Sequence, residues 1–434
     1  MGPSPIQSAT RVVDLARRGR FSEIEELFAP RLRAVVSAET LRTAWATETS
    51  AKGSISEIGQ PTTEQREPGL VRVSVPVTCE HGSLTVVMSV DDTGILHGLR
   101  LAPPSTTSWT PPPYAVRSRF TEQEVTVGTS PLAVPGTLTL PRKRGPRPGV
   151  VLLSGGGPFD RDETSGPNKP LKDLAWGLAS RGVVVLRFDK VTHAHPDVVS
   201  APDFTMSDEY VPHAVAAVRL LHRHPAVNAE QVFLLGHSMG GKVTPRVAAA
   251  EPSVAGLVIL AGDTQPMHHA AVRVARYLST MSPGPDIEAA IAIAAEQAAR
   301  VDSPELSAST PNEDLPFGFP APFWLDMRGY DPVSAAAGLD KPMLILQGGR
   351  DYQVTVDDDF ARWRRGLDHR SDVTIRIYDA DDHLFFPGEG PSTPTDYEAP
   401  QHVDPAVVTD IAQWLAPNRG KLTRFLPAAG HRRS

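Results

Sequence analysis

From about residue 115 to residue 416, short apolar runs alternate with stretches whose apolar residues recur at helical spacing. The runs are nearly continuous in valine, leucine and isoleucine, as in GVVLLSGGG, GVVVLRFDK, QVFLLGHS, GLVILAG, PMLILQGGRD and VTIRIYDADDH. Strands without polar alternation are buried on both faces, and intervening helices are the usual connections of a parallel sheet. The pattern predicts an α/β fold with a mostly parallel sheet covered by helices. EVTVG and GTLTLP, just before it, predict an antiparallel edge hairpin.

A long insertion interrupts this alternation at about residues 267–337. It contains an alanine-rich helical segment, IEAAIAIAAEQAARV, and an aromatic, proline-rich segment, FGFPAPFWLDMRGY. It lies between two strands, on the side where loops build the site in open sheets of this kind. We interpret the insertion as a helical lid.

The N-terminal part of the chain has a different organisation. Residues 8–50 show helical spacing, and later the period changes to two in LVRVSVPVT, SLTVVMSVD and ILHGLRLAP. Helices followed by an antiparallel meander predict a small α+β accessory domain over residues 1–102. A proline-rich linker at 103–114 separates it from a catalytic α/β domain at 115–418, and a basic, flexible tail follows at 419–434.

Composition excludes several classes of protein. The chain has 43 Lys and Arg against 50 Asp and Glu, a formal charge of −7, which disfavours nucleic-acid and anionic-membrane binders because these need a positive field. Cys79 is the only cysteine, so the chain forms neither an internal disulfide nor a cysteine-based zinc site. We find no export signal and no apolar run of roughly 20 residues. These observations predict a cytoplasmic protein outside the membrane.

A candidate nucleophile lies in Gly-His-Ser-Met-Gly, which follows the strand QVFLL directly and leads into a helix. A serine on such a strand-to-helix turn has strained backbone angles, and the flanking glycines allow the neighbouring chain to come close. The pattern therefore predicts Ser238 as a nucleophile. A serine hydroxyl needs a base to take its proton, so a carboxylate and a histidine should follow in that order.

Both groups follow in loops at strand ends. Asp351 comes after PMLILQGGRD and His383 after VTIRIYDADD. Loops at the carboxyl ends of parallel strands meet at one edge of the sheet, so Ser238, Asp351 and His383 are expected to converge there. Asp263, after GLVILAG, also follows a strand and stays open as an alternative acid.

A developing oxyanion needs backbone N–H donors. Met239, the residue after the nucleophile, is one candidate, and the other is Gly156 in SGGGPFD, with Gly155 and Gly157 left open. A dinucleotide-binding loop is excluded there, because Asp160 stands where the third glycine belongs and would repel a pyrophosphate.

Aromatic, charged and histidine residues elsewhere in the chain are candidates for a pocket and for metal binding. We name Phe159, Phe323 and Trp324 as candidate pocket residues, although the aromatic residues of the lid would look the same if they formed its core. The charged group 160–162 either orients the loop by ion pairing or is an exposed cluster. His193 and His195 lack a third ligand at a recognisable spacing, so we predict no metal and no cofactor.

At these residues the chain resembles the α/β-hydrolase superfamily. More closely, it resembles the bacterial carboxylesterase-like branch with a small N-terminal domain, on the motifs SGGGPFDRDE, NKPLKDLAWGLASRGVVVLRFDK, GHSMGG, ILQGGRDYQV, DDHLF and HVDPAVVTDIAQWL. The resemblance covers about residues 110–416 and implies Ser238 as nucleophile, His383 as general base and Asp351 as the orienting acid. The accessory domain is similar in pattern to the cone-shaped nuclear-transport-factor fold. The chain departs from the branch at Ser154 and Gly155, where a His-Gly pair is usual.

The predicted function is that of a serine hydrolase, which cleaves a carboxylic ester of a small apolar substrate through an acyl-enzyme. Thioesterase, lactonase, amide-cleaving and acyl-transfer or cyclising activities use the same groups and stay open. Two alternatives belong to other classes: a non-catalytic ligand receptor on a hydrolase scaffold, and an interaction protein. The expected partner is a small-molecule ester or thioester. The exposed strands of the N-terminal meander are candidates for pairing with a second copy of the chain.

Overall fold

The structure is a computed structural model that describes residues 4–50, 52–67, 69–102, 109–281 and 284–416. The chain divides into two compact units. One comprises the residues up to Trp109 together with Tyr397–Pro400, and the other comprises Thr110–Asp396 and the residues from Gln401 on. Half of the predicted linker, residues 103–108, and the whole predicted tail at 419–434 lie outside the described residues.

The first unit joins helices to an antiparallel sheet, which confirms the predicted α+β class. Its elements are α1 (Pro5–Arg17), α2 (Phe21–Glu25), α3 (Pro30–Val35), α4 (Ala38–Ser50), β1 (Ile55–Ile58), β2 (Thr62–Glu67), β3 (Leu70–Cys79), β4 (Gly82–Asp91) and β5 (Leu96–Ala102). The described strands pair in the order β1, β3, β4, β5, and β2 also pairs with β3. The apolar face of α1, with Val12 and Val13, shares a core with Val73, Val75 and Val77 of β3.

The sequence did not indicate β1 and β2. The segment of β2 reads TTEQRE, which has no apolar residue, and β1 has no fully buried position. Pairing with β3 supplies the backbone hydrogen bonds that make these segments strands, and a hydrophobic pattern cannot report such pairing.

The second unit alternates strands and helices, as the sequence predicts. Its strands are β6 (Phe120–Val127), β7 (Val134–Pro141), β8 (Arg147–Leu153), β9 (Val184–Phe188), β10 (Val227–His237), β11 (Leu257–Leu260), β12 (Met343–Gly348) and β13 (Val373–Tyr378). Its helices are α5 (Pro170–Ser180), α6 (Val191–Ala194), α7 (Met206–Arg223), α8 (Met239–Ala250), α9 (Met267–Ser279), α10 (Pro285–Asp302), α11 (Ala321–Arg328), α12 (Pro332–Ala337), α13 (Ala361–Leu367) and α14 (Pro405–Leu415).

Within the described residues the strands of this unit form one sheet in the order β6, β7, β9, β8, β10, β11, β12, β13. All pairings from β9 to β13 are parallel, whereas β6 with β7 and β7 with β9 are antiparallel. The predicted edge hairpin and the mostly parallel sheet are thus confirmed. Every residue of β9, β11 and β12 is buried, because helices cover both faces.

The insertion between β11 and β12 contains helices α9 to α12. Its interpretation as a lid stays a prediction. Across the described ranges, no helix has both the length and the hydropathy that crossing a bilayer requires.

Candidate active site

Ser238 lies in the sharp turn between β10 and α8. Its backbone has φ 54° and ψ −121°, a conformation that residues other than glycine rarely adopt. Two glycines allow this turn, because a Cβ on Gly236 would lie 2.1 Å from the carbonyl oxygen of Gly240, and a Cβ on Gly240 would lie 2.4 Å from that of Leu153. The tight turn therefore holds the serine at the carboxyl edge of the sheet, as a nucleophile elbow does.

Asp351 and His383 lie in the loops after β12 and β13, and their side chains are in contact. Nδ1 of His383 is 2.7 Å from Oδ2 of Asp351. The other carboxylate oxygen accepts from the backbone N–H groups of Gln353 and Val354, at 2.8 and 2.9 Å. An ionised carboxylate only accepts hydrogen bonds, so Nδ1 is the donor in this bond, and in a neutral imidazole Nε2 is then the nitrogen with the lone pair.

The alternative acid, Asp263, has a different partner. Its Oδ2 lies 2.8 Å from Nζ of Lys242, and the same ammonium group donates to the carbonyl of Gln265 at 2.7 Å. The Lys242 side chain is 2% exposed, so this is a buried ion pair. The geometry therefore gives the imidazole of His383 to Asp351 and the ammonium of Lys242 to Asp263.

His383 also lies next to the turn that carries Ser238. The ring of His237 has its centroid 4.7 Å from that of His383, and its Nε2 is 2.8 Å from the His383 carbonyl oxygen. Over the described part of the chain, no hydrogen bond joins the Ser238 hydroxyl to the His383 ring. Contacts between a nucleophile and its base are commonly longer before substrate binds. The structure thus brings the ring of His383 close to the turn of Ser238, and, within the described residues, no hydrogen bond joins the two side chains.

The three glycines of the loop after β8 differ in their surroundings. The N–H of Gly155 donates to Oε1 of Glu163 at 2.6 Å, so it is not free for an oxyanion. Gly156 is exposed, and a Cβ there would lie 3.7 Å from the Cβ of Met239. Met239 is the first residue of α8, so its N–H has no partner within the helix. Gly156 and Met239 therefore form the neighbouring pair among the candidate donors.

Two residues to which the sequence assigned no role, Glu163 and His237, connect this loop to His383. Glu163 is 2% exposed, and its Oε1 also lies 2.9 Å from Nδ1 of His237. Burial lowers the pKa of His237, but the charge of Glu163 and hydrogen bonds on both ring nitrogens outweigh it and raise the pKa overall. A buried chain thus runs from the Gly155 N–H through Glu163 and His237 to the carbonyl of His383. No spacing rule in the sequence indicates it.

A buried lysine holds the other side of the loop. Nζ of Lys190 donates to the carbonyl of Gly155 at 2.9 Å and pairs with Glu209 at 2.8 Å. The hydroxyl of Tyr210 donates to the same carbonyl at 2.8 Å. Burial lowers the pKa of Lys190, and the charge of Glu209 offsets part of this effect. The backbone N–H and the carbonyl oxygen of Gly155 are therefore both fixed by side chains of the protein.

The charged group 160–162 orients the loop, one of the two interpretations that the sequence left open. Asp162 is 7% exposed and accepts from Arg187 at 2.7 Å and from Lys169 at 2.9 Å. Burial raises the pKa of Asp162, but these two cations outweigh it and lower the pKa to about 2. Arg161 pairs with Asp189, which directly follows β9.

The candidate pocket residues lie in two environments. Phe323 and Trp324 of α11 are buried, and Phe323 stacks on Phe319 at 4.4 Å between ring centroids. They pack as a lid core would, which was the alternative reading, so their part in a pocket stays a prediction. Phe159 is half-buried, and its ring lies 3.2 Å from where a Cβ of Gly157 would stand, against the glycine loop.

His193 and His195 bind backbone rather than each other. Nδ1 of His193 lies 2.9 Å from the carbonyl oxygen of Pro158, and Nε2 of His195 lies 2.9 Å from that of Ala133. Each ring thus has its own carbonyl partner.

Comparisons with known proteins agree with this architecture. A model of the family described as "Serine aminopeptidase, S33" matches residues 168–389, about half of the chain. The chain is 35% identical over 336 residues to esterase EstD of Thermotoga maritima, covering 77% of each sequence.

Solved structures with low sequence identity are also similar. Est1E from Butyrivibrio proteoclasticus aligns with a TM-score of 0.44 and 14% identity, covering 67% of this chain and 98% of its own. A putative dienelactone hydrolase from Klebsiella pneumoniae aligns with a TM-score of 0.41 and 18% identity, covering 69% and 99%. On the family match and the identity to esterase EstD, the chain belongs to the S33 family of α/β hydrolases and is a serine hydrolase of the esterase type.

Proposed function

We propose that this protein hydrolyses a carboxylic ester of a small apolar substrate through an acyl-enzyme, with Ser238 as nucleophile, His383 as general base and Asp351 as the orienting acid. The observation that carries the proposal is the 2.7 Å bond from Nδ1 of His383 to a buried carboxylate, on a ring adjoining the strained turn of Ser238. Ester substrates are favoured because the curated relative is an esterase.

The proposed chemistry follows from where protons can go. Oγ of Ser238 attacks the ester carbonyl carbon while its proton passes to Nε2 of His383. The carbonyl oxygen becomes an oxyanion, which the N–H groups of Met239 and Gly156 stabilise. The intermediate collapses, the ester C–O bond breaks, and the imidazolium returns the proton to the leaving alcohol. Water then attacks the acyl-enzyme by the same proton route, releasing the acid and Ser238.

Asp351 would act on the orientation and charge of His383. Its Oδ1 is held by two backbone N–H groups, so the carboxylate keeps its direction as the imidazole gains a proton. Its negative charge stabilises the imidazolium that forms in each proton transfer. Asp351 itself stays ionised throughout.

Activity on p-nitrophenyl acetate and butyrate, together with fluorophosphonate labelling, tests the proposal. We expect Ser238→Ala to abolish labelling and to lower kcat by roughly 10⁴- to 10⁶-fold, because the three groups act as a unit. Ser309→Ala, which alters an exposed serine, is the matched control and should leave both unchanged. Labelling that survives in Ser238→Ala would overturn the assignment of the nucleophile.

A substrate panel separates the remaining activities. Esters of increasing acyl length, thioesters, lactones and amino-acid p-nitroanilides should be compared by kcat/KM, with the esters of short acids expected to be highest. A higher kcat/KM on another class would replace the ester in the proposal. Saturable binding without turnover of any of them would favour a receptor.

A further inference from the structure

Two adjacent histidines and an aspartate meet where helices α9 and α10 pack together. His268 and His269 lie in the first turn of α9, and Asp302 is the last residue of α10. Nε2 of His268 is 2.9 Å from one carboxylate oxygen of Asp302, and Nε2 of His269 is 2.6 Å from the other. Both rings thus point at a single carboxylate.

The neighbours of Asp302 leave its carboxylate to these histidines. The nearby guanidinium of Arg328 donates instead to the carbonyls of Val301 and Ser303, at 3.0 and 2.8 Å. The ring centroids of the two histidines are 4.4 Å apart. One atom from each of the three side chains can be chosen so that all lie within 4.8 Å of one another.

Two imidazole nitrogens and a carboxylate oxygen are a ligand set that suits zinc and neighbouring transition metals and not magnesium or calcium, which prefer oxygen. Bonds of about 2.0–2.1 Å in tetrahedral geometry place ligand atoms roughly 3.3 Å apart. The two imidazole nitrogens lie 2.9 and 2.6 Å from different oxygens of the carboxylate, so these contacts would have to lengthen by about 0.4 and 0.7 Å to admit the ion.

One side chain of the cluster is buried and the other two are half-exposed, as in a metal site that is open to solvent. His268 is 2% exposed, and its ring lies edge-on to that of Trp324, with centroids 5.8 Å apart. The side chains of His269 and Asp302 are each 49% exposed, so an ion can enter and keep water in its remaining positions. Among the described residues, Nδ1 of His268 has no hydrogen-bond partner, and without that outer support we expect micromolar affinity.

We propose that His268, His269 and Asp302 form a binding site for a zinc-class divalent metal ion, which ties the start of α9 to the end of α10. The site is separate from the serine, histidine and aspartate proposed for ester cleavage. Its ion takes no part in that reaction. It would stiffen the helical insertion between β11 and β12.

The test is metal binding to the full-length, tag-free protein after treatment with EDTA. Isothermal titration with ZnCl₂ should give one ion per chain, and CoCl₂ should give visible d–d absorption from a site with nitrogen ligands. Near a hundredfold excess over Kd, zinc should raise Tm by roughly 5 °C, because it binds only the folded chain. No binding of either ion at tens of micromolar would overturn the proposal.

Variants locate the site. His269→Ala and Asp302→Asn alter half-exposed side chains, and each should weaken zinc binding by about a hundredfold or more, because a direct ligand is lost. His97→Ala is the matched control, since His97 is a half-exposed histidine with a single aspartate partner, Asp91. It should bind zinc as the unaltered protein does. Unchanged zinc binding in His269→Ala would refute the assignment.

Discussion

Replacing Glu163 by glutamine probes the buried chain of hydrogen bonds between the glycine loop and His383, the proposed base. Oε1 of Glu163 accepts from the N–H of Gly155 and from Nδ1 of His237, and Nε2 of His237 donates to the carbonyl of His383. A carbonyl oxygen accepts only, so His237 needs a proton on each ring nitrogen while Glu163 is a carboxylate. The two residues then form a buried ion pair.

Glutamine cannot reproduce this arrangement in either orientation of its amide. If the amide oxygen takes the place of Oε1, His237 has two options. It can stay charged without a counter-ion, or it can become neutral, in which case the lone pair of its Nε2 faces the carbonyl oxygen of His383. With the amide nitrogen there, the N–H of Gly155 loses its acceptor. Either one buried bond or the counter-charge of His237 is lost in each case, and hydrogen bonds to charged groups contribute about 1.5–3 kcal/mol. Expressed at the site, that loss lowers kcat by roughly ten- to a hundredfold.

The assay has a kinetic arm and a stability arm. We expect Glu163→Gln to lower kcat on p-nitrophenyl butyrate with little change in KM, because Glu163 is buried and its Oε1 is bonded to Gly155 and His237. The matched control is Glu124→Gln, since Glu124 is a 74% exposed carboxylate that also pairs with a cation, Arg161. Its effect should stay below about 1 kcal/mol.

The pH dependence of the unfolding free energy gives an independent test of the pair formed by Glu163 and His237. The folded-state pKa of His237 is raised above its usual value near 6.5, so the stabilisation is complete below that pH and is lost as pH rises through the raised pKa. In urea denaturation, the difference in unfolding free energy between the unaltered protein and Glu163→Gln should therefore shrink from acidic to alkaline pH. A wild-type kcat in Glu163→Gln, or a difference that does not change with pH, would refute the reasoning.

Four further substitutions test the site. Asp351→Asn should lower kcat by about 10⁴-fold, whereas Asp263→Asn should mainly reduce stability because it removes the partner of Lys242; a larger kinetic loss in Asp263→Asn would reverse the assignment of the acid. Gly240→Ala should give insoluble or unfolded protein, since its Cβ would overlap backbone at 2.4 Å, and a wild-type Tm would contradict the described turn. Arg187→Met should cost about 3–5 kcal/mol in urea denaturation because it strands buried carboxylates, and a change below 1 kcal/mol would show that the ion pair is dispensable.

The sequence names the candidate site because local rules apply to it. A glycine pattern directly after a buried strand points to Ser238, and the structure has a strained turn there. Asp351 and His383 are candidates because loops at the ends of parallel strands share one edge of the sheet, and the structure brings their side chains into contact. The sequence could not separate Asp351 from Asp263, since both follow strands. Their partners distinguish them in the structure, because Asp351 contacts His383 and Asp263 pairs with Lys242.

What the sequence missed depends on contacts between distant loops. Glu163, His237 and Lys190 are each one polar residue among many, and their roles arise from partners that no spacing relates. The sequence also could not tell whether the aromatic residues of the insertion form a core or line a pocket, because an aromatic residue such as Phe323 suits both. Strand β2 was missed because its stability comes from pairing with β3 rather than from buried apolar side chains.

The position of His237 in the chain limits which residues near the site can be changed by protein engineering. It is joined by a peptide bond to Ser238, while its ring contacts both the carboxylate behind the glycine loop and the carbonyl of His383. Mutagenesis libraries meant to widen substrate range should therefore leave position 237 unchanged. Diversity is better directed to the exposed positions of α9 to α12, where alterations leave that three-way junction intact.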